Sequence, residues 1–209
     1  MTSADPLSSV ISSLQHDKII PDVIPTDFNP TMLFSIVWPN RSEAMLGNEL
    51  TVESTAEEPT IDFTPMNMPV EQADSLSSGD EVSYTLVMLD PDAPYRKDPI
   101  YRSFRHWVIT GLKSPADTAS KTSNLTALKS KPATTPYRPP GPRPNSGVHR
   151  YTFLLFQEPP NLVIPESAPE HGAALEERRS WDPIKFANQY GLKLVGANYF
   201  LVRSEEQAE

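Results

Sequence analysis

Three side chains with acid–base chemistry stand in or beside apolar runs. Asp90 closes the run 84–89 and opens Asp90-Pro91-Asp92-Ala93-Pro94, His149 precedes the run 151–156 within Gly147-Val148-His149-Arg150, and His106 lies in 104–110. Two X-Pro bonds inside five residues restrict the Asp90 turn and admit a cis bond, which aims the carboxylate. Asp90 or Asp92 can instead simply cap the turn backbone. Burying a carboxylate and two imidazoles together costs on the order of several kcal/mol unless they satisfy one another or a ligand. The set therefore predicts a small polar pocket.

Two imidazoles oriented by a carboxylate can offer N–H donors to a phosphate or carboxylate oxygen, and they titrate near neutral pH. That describes an anion site. Asp90, His106 and His149 also have the composition of a facial triad for non-haem iron, the set a metal-dependent enzyme would use, although the tight His-x-Asp spacing is absent. Nucleophilic catalysis has less support, because there is no Cys, no Gly-x-Ser-x-Gly turn and no Gly-x-x-x-x-Gly-Lys loop. A serine brought to the His/Asp pair by folding stays open, and nothing in the sequence selects one.

The elements that must position these groups follow from apolar periodicity. Asp5-Pro6 before Leu7, Val10, Ile11 and Leu14 predicts a short amphipathic helix over 5–17 with an Asp cap. Ile19-Ile20-Pro21 and Val23-Ile24-Pro25 predict an extended arm, since Pro biases its predecessor away from helix. Strands are expected at 32–38, 49–52 and 60–64. The run 84–89 is apolar on both faces apart from Thr85, the mark of a central strand covered on both sides. Alternation puts Phe104, His106 and Val108 on one face of 104–110 and Arg105, Trp107 and Ile109 on the other. In 149–156 it groups His149, Tyr151, Phe153 and Leu155. Asp182-Pro183, Phe186, Tyr190 and Gly191 outline a capped helix, followed by a last strand over 192–202 and a polar tail over 204–209. Many strands with a few peripheral helices make the fold mainly β, an antiparallel β-sandwich.

Composition agrees. Pro occurs 23 times against 8 Gly in 209 residues, and Pro breaks helix interiors. The length suits one domain with arms: helix and arm over 1–25, a domain over 26–203, and the tail. A cysteine-free chain with no secretory-type opening segment and no apolar run near the ~18 residues of a membrane span reads as cytoplasmic. The net charge of −9 argues against nucleic acid. It conceals an asymmetry, because residues 1–83 hold 14 carboxylates against Lys18 and Arg41, while 113–147 hold six Lys or Arg against Asp117. That segment, with seven Pro, reads as a long structureless loop, either a solvated excursion or a cationic flap for anionic ligands and acidic partners.

Two of these motifs, in order, resemble the phosphatidylethanolamine-binding proteins, also called Raf kinase inhibitor proteins. The resemblance rests on Asp90-Pro91-Asp92-Ala93-Pro94 with Arg96-Lys97-Asp98-Pro99, Tyr101-Arg102 and Phe104-Arg105-His106, then Gly141-Pro142 and Gly147-Val148-His149-Arg150-Tyr151, and it covers about 20–203. The N-terminal helix, Met45-Leu46-Gly47-Asn48 and Phe186-Ala187-Asn188-Gln189-Tyr190-Gly191-Leu192 are most similar to the fungal carboxypeptidase Y inhibitor branch. The resemblance implies a large antiparallel sheet on a smaller one and a pocket for phosphate-like anions lined by Asp90, Pro94, Tyr101, Phe104, His106, Gly141, Pro142, His149 and Tyr151. It implies no enzymatic role and no cofactor. The ligands it implies are phosphate-containing small molecules or phospholipid head groups. Its protein partners would be a serine carboxypeptidase, a kinase or a small-GTPase regulator, with room for peripheral membrane contact. A lipid carrier is the other alternative, though no apolar stretch marks a groove for acyl chains. Phe104 stands where Trp is usual, Arg105 where His is frequent, Tyr95 where Ser or Thr is, and Arg143 where Pro is common. Phe104 thereby lacks the indole N–H donor.

Overall fold

The computed structural model describes residues 6–64, 82–114 and 126–206. Among these, five strands form one antiparallel sheet in the order β6-β5-β4-β7-β8: β4 (Ser83–Asp90), β5 (Phe104–Lys113), β6 (Leu128–Lys129), β7 (Val148–Gln157) and β8 (Lys193–Arg203). A smaller sheet has the order β2-β1-β3, from β1 (Leu33–Val37), β2 (Glu43–Ala44) and β3 (Thr60–Thr64).

β4 is central and buried on both faces, as its unbroken apolar run requires. Leu86 and Met88 join Phe153, Leu155 and Phe200 against Phe34, Ile36, Ile61 and Phe63 of the small sheet, which is the sandwich interior. On the other face Val87 and Leu89 join Leu154 and Phe156 against Val10 and Leu14 of helix α1 (Pro6–His16), Ile19 and Ile24 of the arm, and Phe186 of the last helix. That helix, α3 (Pro183–Tyr190), starts where the Asp182 carboxylate accepts the Ile184 and Lys185 amides at 2.9 and 3.0 Å. It stops at Gly191, whose φ of 66° is the left-handed conformation glycine adopts most readily. No helix among the described residues is long and apolar enough to cross a membrane.

Several expectations need correction. The arm closes a short helical turn, α2 (Ile19–Asp22), in which the Val23 and Ile24 amides return to the Ile19 carbonyl at 2.8 and 3.0 Å. The bias before proline persists inside this turn at Ile20, with φ −95° and ψ 118°. Residues 49–52 form no strand, although Glu49 makes one bridge to Leu201 of β8. The cap proposed at Asp5 lies outside the described residues. Simple alternation also fails in β5. Pairing runs Met88↔Trp107 and then Leu89↔Arg105, so His106 is the extra residue of a β-bulge. His106 and Trp107 consequently share one face, while Val108 lies on the opposite face with Val87 and Leu154.

The expected structureless loop is ordered over its second half. Thr135 exchanges backbone hydrogen bonds with Val108 at 3.0 and 3.1 Å, the Arg138 amide reaches the His106 carbonyl at 3.0 Å, and Tyr137 packs edge-on against Trp107. Residues 135–143 are thus a strap laid across the start of β5; the part of this segment over 115–125 lies outside the described residues. The tail is tethered as well: the Ser204 amide donates to the Gly147 carbonyl at 3.0 Å, and its Oγ receives the Gly147 amide at 2.9 Å.

Candidate anion-binding pocket

At one end of the large sheet, where β4 finishes and β5 and β7 begin, a cavity of about 370 Å³ opens. All nine residues singled out from the sequence line it, together with Ala93, Arg138, Pro139, Pro140, Arg143, Leu175 and Arg179. The Ala93–Pro94 bond is cis, which the spacing of prolines in this turn admitted.

Asp90 serves both of its expected roles. One carboxylate oxygen receives the Asp92 amide at 2.8 Å, and the other lies 2.7 Å from His149 Nδ1, both side chains being buried. Asp92 does not reach the cavity. It is fully buried and takes three hydrogen bonds from Arg150: backbone N–H at 3.0 Å, Nε at 2.9 Å and Nη2 at 2.7 Å. Arg150 Nη1 continues to the Asp17 carbonyl and to Asp22 at 2.8 and 2.9 Å, joining the pocket strands to the arm. Burial works against this guanidinium, but Asp92 and Asp22 outweigh it and hold it above its ordinary pKa.

His149 Nε2 lies 2.9 Å from Ser146 Oγ, so the chain does bring a serine to the His/Asp pair. The connectivity is that of a catalytic triad, yet the requirements for attack are missing. Ser146 is buried and is not part of the cavity lining, and its hydroxyl donates to the Arg143 carbonyl. The neighbouring amides that would form an oxyanion hole are also spent: Asn145 N–H on Glu205 O at 2.9 Å, Ser146 N–H on Arg143 O at 3.1 Å, and Gly147 N–H on Ser204 Oγ. Nor do Asp90, His106 and His149 converge as ligands. Among the described residues no three such groups are arranged to hold a metal ion.

The expectation that both imidazoles present N–H groups to a ligand is also corrected. Both nitrogens of His149 are engaged by protein. His106 Nδ1 is 2.8 Å from the Arg138 carbonyl, which can only accept, so the hydrogen sits on Nδ1. Burial pushes His106 down to about 4, with Asp90 acting in the opposite direction, so the ring is neutral at pH 7. Phe104 and Tyr151 flank it at centroid distances of 4.9 and 5.2 Å. Tyr151, stacked with His149 and Phe200, receives the Gly141 amide at 3.3 Å. Burial holds its phenol well above the ordinary value, which keeps it an O–H donor.

Positive charge comes from residues the spacing argument missed. Arg138 and Arg143 arrive on the strap, and Arg179 lies over the Tyr101 ring at 4.3 Å. The basic count over 113–147 pointed toward the first two, and the departure from the family pattern at 143 pointed to Arg143 itself, which lines the cavity. Arg178 staples this corner together, donating to the carbonyls of Ala173, His106 and Pro136 at 2.9, 2.9 and 3.0 Å. Burial and the nearby Arg105 and Arg138 lower it to about 10. Its sequence context, Glu176-Glu177-Arg178-Arg179, reads as exposed and offers no such signal. Arg105 points away from the cavity, bonding the Pro169 and Gly172 carbonyls at 2.7 and 3.0 Å.

Residues 40–200 match the family model described as phosphatidylethanolamine-binding protein. The chain is similar to the carboxypeptidase Y inhibitor of Saccharomyces cerevisiae, 29% identical over 213 residues that span 93% of this chain and 95% of that protein. Among solved structures it resembles a carboxypeptidase Y inhibitor complexed with its cognate proteinase, with a TM-score of 0.75 at 24% identity over 97% and 98% of the two chains. A phosphatidylethanolamine-binding protein from Plasmodium vivax superposes with a TM-score of 0.70 at 26% identity over 93% and 97%. With the fold, the ordered motifs and the match over most of its length in agreement, the chain belongs to the phosphatidylethanolamine-binding protein family.

Proposed function

We propose that the protein is a non-enzymatic regulator that seats a phosphate-type anion in this cavity and inhibits a serine carboxypeptidase. The observation that carries the anion reading is the pairing of three arginines in the lining with a buried, unionised Tyr151 hydroxyl in one small cavity. Oxyanions are recognised by such charge-assisted donors. The non-enzymatic reading is supported by the sequestered Ser146 and the spent amides around it. Titration of phosphorylethanolamine by calorimetry tests the site. Wild type should bind, and Tyr151→Phe should weaken binding roughly tenfold or more through loss of one donor to a charged group; equal affinities would remove the cavity from the account.

The inhibitory role is supported by likeness along nearly the whole length of the yeast carboxypeptidase Y inhibitor. α1 buries Val10 and Leu14 and presents Ser8, Ser9, Ser12, Gln15 and His16 to solvent. Deleting the helix would remove core residues, so surface substitution is the cleaner test. Ser9→Arg with Gln15→Arg should reduce inhibition of carboxypeptidase Y while leaving stability and anion affinity unchanged. Undiminished inhibition would confine α1 to a packing role.

A further inference from the structure

Hydrogen-bond direction decides which protonation state of an anion this cavity accepts. Because the Arg138 carbonyl fixes the hydrogen of His106 on Nδ1, the neutral ring offers a bare lone pair at Nε2. Nε2 makes no hydrogen bond among the described residues, and His106 lines the cavity. Asp90 adds a carboxylate to the same floor, each oxygen already accepting one hydrogen bond and retaining further lone pairs. The donors lie elsewhere. Tyr151 Oη receives the Gly141 amide and so keeps its own hydrogen for the cavity, and Arg138, Arg143 and Arg179 line the walls.

An oxyanion without hydrogen would meet the wall donors well but would set lone pairs against lone pairs at the floor. On the reading that this cavity is an anion site, we infer that it takes phosphomonoesters in their singly protonated form. The P–OH donates to His106 Nε2, and the remaining oxygens receive Tyr151 and the arginines. His106, oriented by the Arg138 carbonyl, is the specificity-determining residue.

The charged and titratable groups around His106 come from every element packed on it: Asp90 of β4, His149 and Tyr151 of β7, Arg138 and Arg143 of the strap, and Arg178 and Arg179 beyond. With burial holding the ring neutral down to about 4, the ligand is the partner whose proton changes between pH 5.5 and 7.5, since a phosphomonoester has its second pKa at about 6. The monoanion is the main form at the lower pH and a minor one at the higher.

Methyl phosphate, dimethyl phosphate and sulfate, titrated into the full-length protein at pH 5.5 and 7.5, test this. Methyl phosphate should bind roughly ten- to thirtyfold more tightly at pH 5.5, following its protonated fraction. Dimethyl phosphate, singly charged without a P–OH, and sulfate should bind weakly at both. His106→Gln, whose amide can turn to donate, should narrow the gap between sulfate and methyl phosphate. The inference is overturned if dimethyl phosphate or sulfate equals methyl phosphate at pH 5.5, or if methyl phosphate affinity is flat or rises toward pH 7.5. Binding of none of the three at either pH would instead overturn the anion-site reading on which it rests.

Discussion

His106 illustrates how one backbone carbonyl sets the character of a site. Its Nδ1 is spent on Arg138, its ring is buried between Phe104 and Tyr151, and its folded pKa is about 4 against about 6.5 in an unfolded chain. The unfolded state therefore binds the extra proton first as pH falls. This contribution to stability is intact above pH 6.5, is lost progressively between 6.5 and 4, and does not change further below that. Urea unfolding at pH 7 and pH 4.5 should show a larger loss for wild type than for His106→Gln. Equal losses would mean that the imidazole is not held neutral by the fold. Asp90, His106 and His149 were legible because each lies in or at the end of an apolar run. Ser146 and Arg178 were not, since their partners are backbone carbonyls and rings that only folding brings near.

The strap and the arm connect the site to the rest of the molecule. Arg150, the residue after His149, holds Asp92 on one side and Asp17 and Asp22 on the other, so the pocket strands and the arm share one buried cation. Arg150→Met should cost about 3 kcal/mol, because it removes both guanidinium hydrogen bonds from the buried Asp92 carboxylate and leaves it the backbone amide and the more distant Arg96 and Arg102, at 3.7 and 3.8 Å. Adding Asp92→Leu should recover part of that loss in chemical denaturation. A double variant as unstable as the sum of its singles would show that the two residues do not act as a pair. Strand β4 could be read from its unbroken apolar run, β7 from alternation and helix α3 from its capping residues, all of which are local. The bulge at His106 could not, because register belongs to the pairing with β4 and leaves no mark in β5 alone. Residues 126–147 carry few aliphatic side chains, so their order, which comes from backbone bonds to β5 and from Tyr137, was equally hidden.

Across the whole molecule, the large sheet is sealed on one face by the small sheet and on the other by the helices, and its end is left open at the cavity. The chain is acidic overall, yet the lining of this opening carries three arginines, two from the basic segment and Arg179 from the far side. Placing cationic donors around one opening of an acidic surface favours anions there over other parts of the molecule. Amide spectra of the isotopically labelled protein titrated with inorganic phosphate at pH 6 test this most directly. Saturable shifts should centre on His106, Gly141, His149 and Tyr151; absence of shifts, or shifts that map to another face, would contradict it.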